Sequence, residues 1–180
     1  ADGALAWRFR AAPGPDMLVD NGQIESVWPV HGSVLQIGDA IHAVAGRSSY
    51  VDGGLRLVKL DARSGRLLQE RTYYSRDAET GAALPLYTPF PAPPALARME
   101  MPGLLPDVFA SDGTRLWLRA VTLDLEFGIL DDYPPHLFCS MGFLDDSGWE
   151  LTYWMYGRHM FSGRSGIAHA VGLYPTGRDR

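Results

Sequence analysis

Short runs of alternating apolar and polar residues, each bounded by a glycine-containing turn, restrict the fold of this chain more than any other feature. An alternating run buries every second side chain, which is typical of a β-strand with one face in a core. No window of about 11 residues or more has the apolar spacing of an amphipathic helix. The sequence therefore predicts an all-β fold. The runs lie at residues 5–9, 34–37, 41–44, 55–60, 67–73, 108–110 and 116–120.

The composition narrows the function classes. The chain has 180 residues, of which 46% are hydrophobic, and a net charge of -5, values typical of one folded domain and not of a disordered chain. A mildly acidic chain lacks the basic surface that nucleic-acid binding needs. The single cysteine, Cys139, excludes an intramolecular disulfide. No apolar run approaches the roughly 18 residues of a membrane-spanning helix, so we expect no membrane span.

Two patterns recur along the chain and divide it into repeats. Residues 34–45 and 108–120 share an apolar pair, a turn containing Gly and Asp, and a second apolar run. Residues 1–10 and 60–72 share an Asp, a short gap, a Gly and then a strand. One complete unit therefore occupies about residues 33–73, and the next begins near residue 107. Four short strands per unit with glycine turns predict a β-propeller blade.

We therefore expect one partial β-propeller domain over residues 1–180. It would contain about two to three four-stranded antiparallel blades, the first and last incomplete. Propellers close with about four to eight blades, so we expect the protein to continue into further blades or to pair through open strand edges.

Residues 74–106 do not fit this pattern because they contain seven prolines and little periodicity. Proline lacks the N–H that a central strand donates, so we predict a loop insertion here, without regular structure over residues 76–103. An extended, polyproline-like arm that clasps a neighbouring blade is the alternative.

Residues 57–68, which contain Leu60-Asp61-x-x-Ser64-Gly65, resemble the repeat of pyrroloquinoline-quinone-like (quinoprotein-like) β-propellers. Residues 1–9 are similar to the end of another copy, in which Trp7 takes the place of the repeat tryptophan. The resemblance implies that Trp7 packs between blades. Four longer segments are similar to a bacterial group of these propellers of unassigned activity, often exported, which implies a periplasmic or secreted location. These segments are residues 22–32, 45–54, 143–147 and 153–157.

The resemblance also raises the question of a quinone cofactor. Quinone-dependent alcohol dehydrogenases of this fold use a Cys-Cys pair and a Glu, Asn and Asp calcium site, whereas this chain has one Cys and one Asn. We therefore expect no cofactor bound within the chain. No histidine pair has the spacing of a metal site, and we interpret Asp131-Asp132 and Asp145-Asp146 as solvated turns, so we expect no metal.

The candidate ligand site lies at one end of the predicted blades. Loops that enter a first strand and loops that join the second and third strands emerge on the same face of a propeller. Arg47 there can clamp an anionic group, and Trp28 or Trp154 can stack on a sugar ring. The alternative is that Trp28 packs between blades while Glu25 and Arg47 form a structural ion pair. The residues expected to converge are Glu25, Trp28, His31, Arg47, Asp52, Asp145, Tyr153 and Trp154.

These features favour a non-enzymatic binding or scaffold module that presents a loop face to a carbohydrate, a small molecule or a protein partner. The alternative is part of a quinone-dependent oxidoreductase or of a glycan-active enzyme, with catalytic groups in blades outside this chain. Propellers host both classes, so fold alone does not separate them.

Overall fold

The structure, a computed structural model, is all-β, with twelve strands in four antiparallel sheets and no helix in the part of the chain that it describes. The described residues are 3–20, 22–31, 33–82, 84, 104–119, 121–130, 132, 134, 136–139, 154–156 and 159–162. The strands are β1 (Met17–Asp20), β2 (Gln23–Ser26), β3 (Leu35–Ile37), β4 (Ala40–Ala45), β5 (Leu55–Asp61), β6 (Leu67–Tyr73), β7 (Ala110–Ser111), β8 (Leu116–Leu118), β9 (Val121–Leu123), β10 (Leu137–Cys139), β11 (Trp154–Tyr156) and β12 (His159–Ser162).

The central sheet contains strands β3, β4, β5 and β6 in chain order, each antiparallel to the next. Strands β3 and β4 form the predicted hairpin, in which Ile37 pairs with Ala40 across a two-residue turn. Gly38 in that turn has a φ of 58°, which glycine adopts without steric cost. The predicted runs 55–60 and 67–73 are β5 and β6, so the complete unit expected at residues 33–73 has its four strands.

Both faces of this sheet are covered, because apolar residues occupy alternate positions on each. On one face, Ala43, Val58 and Leu60 pack with Trp7 and Phe9 of the N-terminal segment. On the other face, the sheet packs against the β7–β8–β9 sheet through a larger core. That core contains Val44, Leu55, Leu57, Leu104, Phe109, Leu116, Leu118, Val121, Leu123 and Phe127.

The N-terminal segment reaches the central sheet through Trp7. The indole N–H of Trp7 donates to the carbonyl of Ala62 at 3.1 Å, and its ring lies against Gly65. A Cβ on Gly65 would lie 2.5 Å from this ring, and Gly65 has a φ of 69°, so both space and backbone require glycine there. The strand expected at residues 5–9 is not formed. Its alternation reflects the burial of Trp7 and Phe9 by the sheet, without a paired neighbouring strand.

The third sheet, β7–β8–β9, is shorter than the sequence predicts. The strand expected at residues 116–120 ends at Leu118, because Arg119 turns the chain with a φ of 53°. Trp117 points to the face opposite the large core and stacks on His136, whose ring also stacks on Phe138 of β10, with 5.1 Å between the ring centroids in both pairs. The central sheet, the β7–β8–β9 sheet and the β10–β11–β12 sheet are therefore in contact in chain order.

The all-β antiparallel expectation is confirmed. Among the described residues one sheet contains four strands and the other three contain two or three, as a pattern with one complete unit and incomplete neighbours predicts. These sheets are not closed on themselves, and their edge strands stay open within the described ranges. No helix long and apolar enough to cross a membrane occurs in that part of the chain.

The two ends of the proline-rich stretch are ordered parts of the fold. Leu104 is buried in the large core, and its N–H donates to the hydroxyl of Ser49 at 3.1 Å. At the other end, the hydroxyl of Ser75 donates to that of Ser49 at 2.8 Å. Both ends of the stretch therefore meet at Ser49, in the loop between β4 and β5. Residues 85–103 lie outside the described residues.

Residues 77–81 contain a turn that the sequence analysis did not separate from the proline-rich stretch. The carboxylate of Asp77 accepts from the N–H of Glu79, and from both the N–H and the hydroxyl of Thr80. Asp61 makes the same three bonds in the turn that ends at Gly65, sixteen positions (77 − 61) earlier. The Asp-x-x-Ser/Thr-Gly motif is thus a turn stabilised by hydrogen bonds to its own aspartate, and it occurs twice in the sequence.

Candidate functional site

The candidate site is a loop cluster formed by residues 28–31, 46–53 and 104–107. Residues 28–31 run beside the end of β4, where Val30 pairs with Ala45 and the N–H of Gly46 donates to the carbonyl of Pro29 at 2.9 Å. A Cβ on Gly46 would lie 2.6 Å from the carbonyl oxygen of Gly54, so only glycine permits this approach. The loop before β3 and the loop between β4 and β5 are therefore held together through their backbones.

Arg47 and Asp52 form the exposed part of the loop cluster. One Asp52 carboxylate oxygen accepts from Arg47 Nε at 2.7 Å and lies 2.5 Å from one terminal guanidinium nitrogen. Asp52 has a φ of 56°, which turns its side chain back over the loop. The two side chains are 43% and 21% exposed, and such pairs contribute only about 0–1 kcal/mol to stability. The pair therefore orients an arginine and a carboxylate at the surface more than it stabilises the fold.

Trp28 is 8% exposed, and its ring lies against Gly53. The backbone N–H of Trp28 donates to the hydroxyl of Ser26 at 3.1 Å, which fixes the start of the loop. The ring thus packs against the loop that carries the Arg47–Asp52 pair. It is not an exposed platform on which a sugar ring stacks.

His31 is half-buried at the inner side of the loop cluster. Burial lowers the pKa of its imidazole, and this effect outweighs a bond to the backbone of Gly46 and the nearby Asp107 carboxylate, both of which raise the pKa. The ring therefore favours its neutral form, which can both donate and accept a hydrogen bond.

Asp107 and Arg119 join the loop cluster from the third sheet. Arg119 Nε lies 3.5 Å from a carboxylate oxygen of Asp107, and the Arg119 side chain is buried. The carbonyl of Arg119 accepts from His136 Nε2 at 2.6 Å, so this polar chain continues to the stacked rings of Trp117 and His136. The sequence analysis missed both residues. Asp107 directly precedes its repeat unit, as His31 does, and that shared position was the available signal.

The other candidate residues are not brought into the loop cluster. Glu25 is exposed in β2 opposite Leu18, so the alternative Glu25–Arg47 pair is not formed, and Arg47 pairs with Asp52. Asp145, Asp146 and Tyr153 lie outside the described residues, and the structure describes only the backbone of Trp154, at the start of β11. Their convergence with Arg47 stays a prediction.

The described residues contain no group of three or more His, Cys, Asp or Glu side chains that could hold a metal ion. The turn carboxylates are engaged internally. For Asp61, the bonds from the hydroxyl and N–H of Ser64 hold its pKa below the usual range, and bonds from Thr80 do the same for Asp77. These aspartates therefore stabilise turns.

Comparisons with known proteins give no match to this chain, neither among family models, nor among curated proteins, nor among solved structures.

Proposed function

We propose that this chain is a non-enzymatic binding module whose loop cluster holds a small polar ligand, of the carbohydrate or polyol class. The exposed Arg47–Asp52 pair is the observation that carries the proposal, in a loop whose Gly46 backbone also bonds to half-buried His31. Guanidinium donors and a carboxylate acceptor lie side by side there, and a sugar hydroxyl can bond to both because it donates and accepts.

The burial of Trp28 selects among the ligand classes expected from the sequence. A flat aromatic ligand needs an exposed ring or apolar wall, and the Trp28 ring is packed against Gly53 instead. Arg47 donates hydrogen bonds, the Asp52 carboxylate accepts them and a neutral His31 can do either, which suits a hydroxylated ligand. The Asp52 carboxylate also disfavours a strongly anionic ligand, because it already neutralises Arg47.

The scaffold in this proposal is part of a β-propeller of the pyrroloquinoline-quinone-like repeat family. Three findings support it: the four-stranded sheet with consecutive strands, the stacking of successive sheets in chain order, and the docking of Trp7 on the Asp61–Gly65 turn. The periplasmic or secreted location implied by the resemblance belongs to the same proposal.

Calorimetric titration of the full chain with a panel of mono- and oligosaccharides tests the ligand class. Arg47→Ala should weaken a sugar that binds by about tenfold or more, because hydrogen bonds from a charged group contribute roughly 1.5–3 kcal/mol. Arg63→Ala is the matched control. Its partner is Asp39 at 3.8 Å, and both residues lie in turns at the opposite end of the central sheet. Full retention of binding by Arg47→Ala, or an equal loss in both variants, would refute the assignment.

The position of His31 favours the rival enzyme class. A neutral imidazole beside a carboxylate can act as a general base, and a glycan-active enzyme would use it so. Incubation of each bound oligosaccharide with the chain separates the two functions. The binding module returns the sugar intact, whereas cleavage that disappears in His31→Ala would establish the enzyme.

A further inference from the structure

The β1–β2 hairpin is a separate surface with two chemically different faces. Met17 pairs with Ser26, Leu18 with Glu25, Val19 with Ile24, and Asp20 with Gln23. Directly paired residues share a face, and successive residues alternate between faces. One face therefore carries Met17, Val19 and Ile24, and the other carries Asp20 and Glu25 beside half-buried Leu18.

The apolar face of this hairpin is open to solvent. Met17 is 55% exposed, Val19 is 74% exposed and Ile24 is 72% exposed. Single exposed apolar residues are ordinary, but three on one face of a short ribbon form a patch typical of an interaction surface. A two-stranded ribbon is also marginally stable alone and gains stability when a third strand joins it. Within the described residues, neither β1 nor β2 pairs with a third strand.

The charged residues in the strands of the hairpin, Asp20 and Glu25, are of one sign, and the nearest arginine in sequence, Arg10, donates to the carbonyl of Gly14 outside the strands. Residues 11–46 contain no Lys or Arg, while Asp16, Asp20 and Glu25 lie in or next to the hairpin. A second copy of this chain would bring the same carboxylates opposite one another, which destabilises a strand pair. A basic partner would meet complementary charge.

We propose that the β1–β2 hairpin binds an extended segment of a partner protein in which apolar and basic residues alternate. The segment adds as a third strand at an open edge, with main-chain hydrogen bonds supplying affinity. Its apolar side chains then extend the face of Val19 and Ile24, and its Lys or Arg side chains extend the face of Asp20 and Glu25. This surface is distinct from the loop cluster, so the inference does not depend on the proposed ligand.

Fluorescence anisotropy with labelled probe peptides tests the proposal on the full chain. The probe is a peptide of about seven residues that alternates Val and Lys, a usual strand length. Its two controls are a Val and Glu peptide of the same pattern, and a Val and Lys peptide of the same composition in blocks. The alternating basic peptide should bind, weaken with added salt, and exceed both controls by roughly tenfold or more.

Variants locate the site. Val19→Thr with Ile24→Thr keeps β-branched residues but removes the apolar face, and should weaken binding by about tenfold. Asp20→Asn with Glu25→Gln should remove the salt dependence. Leu68→Thr changes an exposed apolar residue of β6 in the central sheet, and should bind as the unchanged chain does.

Thermal unfolding of the same variants shows whether a loss of binding comes from the changed surface or from a destabilised fold. An open face predicts that Val19→Thr with Ile24→Thr melts within a few degrees of the unchanged chain. A large loss of stability would show that the chain covers this face itself, and would overturn the proposal. Equal binding of the acidic and basic peptides, or equal loss in Leu68→Thr, would also overturn it.

Discussion

Replacement of Phe127 by alanine and by glycine should reverse the usual order of stability of these two residues. Phe127 is fully buried and has a φ of 67°, in the left-handed region that non-glycine residues seldom adopt. Its ring meets the edge of His42 at 5.9 Å and stacks on Phe109 at 6.1 Å, between ring centroids. Its carbonyl accepts from the hydroxyl of Tyr73, which joins the third sheet to the central one.

Two contributions set the expected magnitudes. Loss of a buried Phe ring costs about 3–5 kcal/mol of unfolding free energy in either variant. Alanine must also keep the left-handed backbone, at about 1–2 kcal/mol, whereas glycine adopts it freely. Glycine gives back about 0.5–1 kcal/mol through its greater freedom in the unfolded chain. Phe127→Gly should therefore be as stable as Phe127→Ala or more stable, by up to about 1.5 kcal/mol.

Urea unfolding followed by tryptophan fluorescence measures both variants. The matched control is the same pair at Phe109, which is also buried in the large core but has no positive φ. There the usual order should hold, with Phe109→Gly less stable than Phe109→Ala by about 0.5–1 kcal/mol. If Phe127→Gly were likewise the less stable of its pair by that margin, Phe127 would not be held in a left-handed conformation.

Two further predictions concern the central sheet. Gly65→Ala should destabilise the chain by about 1–3 kcal/mol, because the added methyl group strains the turn and displaces the Trp7 ring. Trp7→Phe should cost less, because it removes mainly the hydrogen bond to Ala62. Urea titration of both variants checks this order. Burial first, and then the Lys59 charge, lower the pKa of His42. The unfolded chain therefore takes up this proton first, and stability should fall as the pH drops below about 6.5, the ordinary value. His42→Leu should flatten the fall of the urea midpoint between pH 8 and pH 5. An unchanged pH dependence in His42→Leu would show that another group causes the fall, such as His31, whose pKa is also lowered.

The central sheet could be predicted because its signals are local. Glycines stand where the backbone turns, and each alternating run meets the next within a few residues, so sequence neighbours become strand neighbours. The alternation at residues 5–9 led to a wrong strand prediction because it, too, is only a local signal. It reports that every second side chain is buried, and says nothing about whether a neighbouring strand supplies hydrogen bonds.

The parts that could not be predicted depend on contacts between distant residues. Arg119 and Phe127 escaped prediction for a different reason: Arg119 lies in the turn between β8 and β9, Phe127 lies in a turn closed by bonds to Asp124, and neither positive-φ position carries the glycine that usually marks one. Asp107 joins His31 only because the third sheet stacks on the first complete one. The turn at Asp77 differs from these cases, since its motif was visible in the sequence but stood among prolines.

The two-sided burial of the central sheet has a consequence for how the chain is synthesised and folded. Among the described strands, those of this sheet pair in chain order, so loop closure is short and the sheet can form early. The face that carries Val44, Leu55 and Leu57 is covered by residues 104–127, which leave the ribosome later. Until then this face is an exposed hydrophobic surface, and slow translation after residue 73 should therefore favour aggregation of the nascent chain.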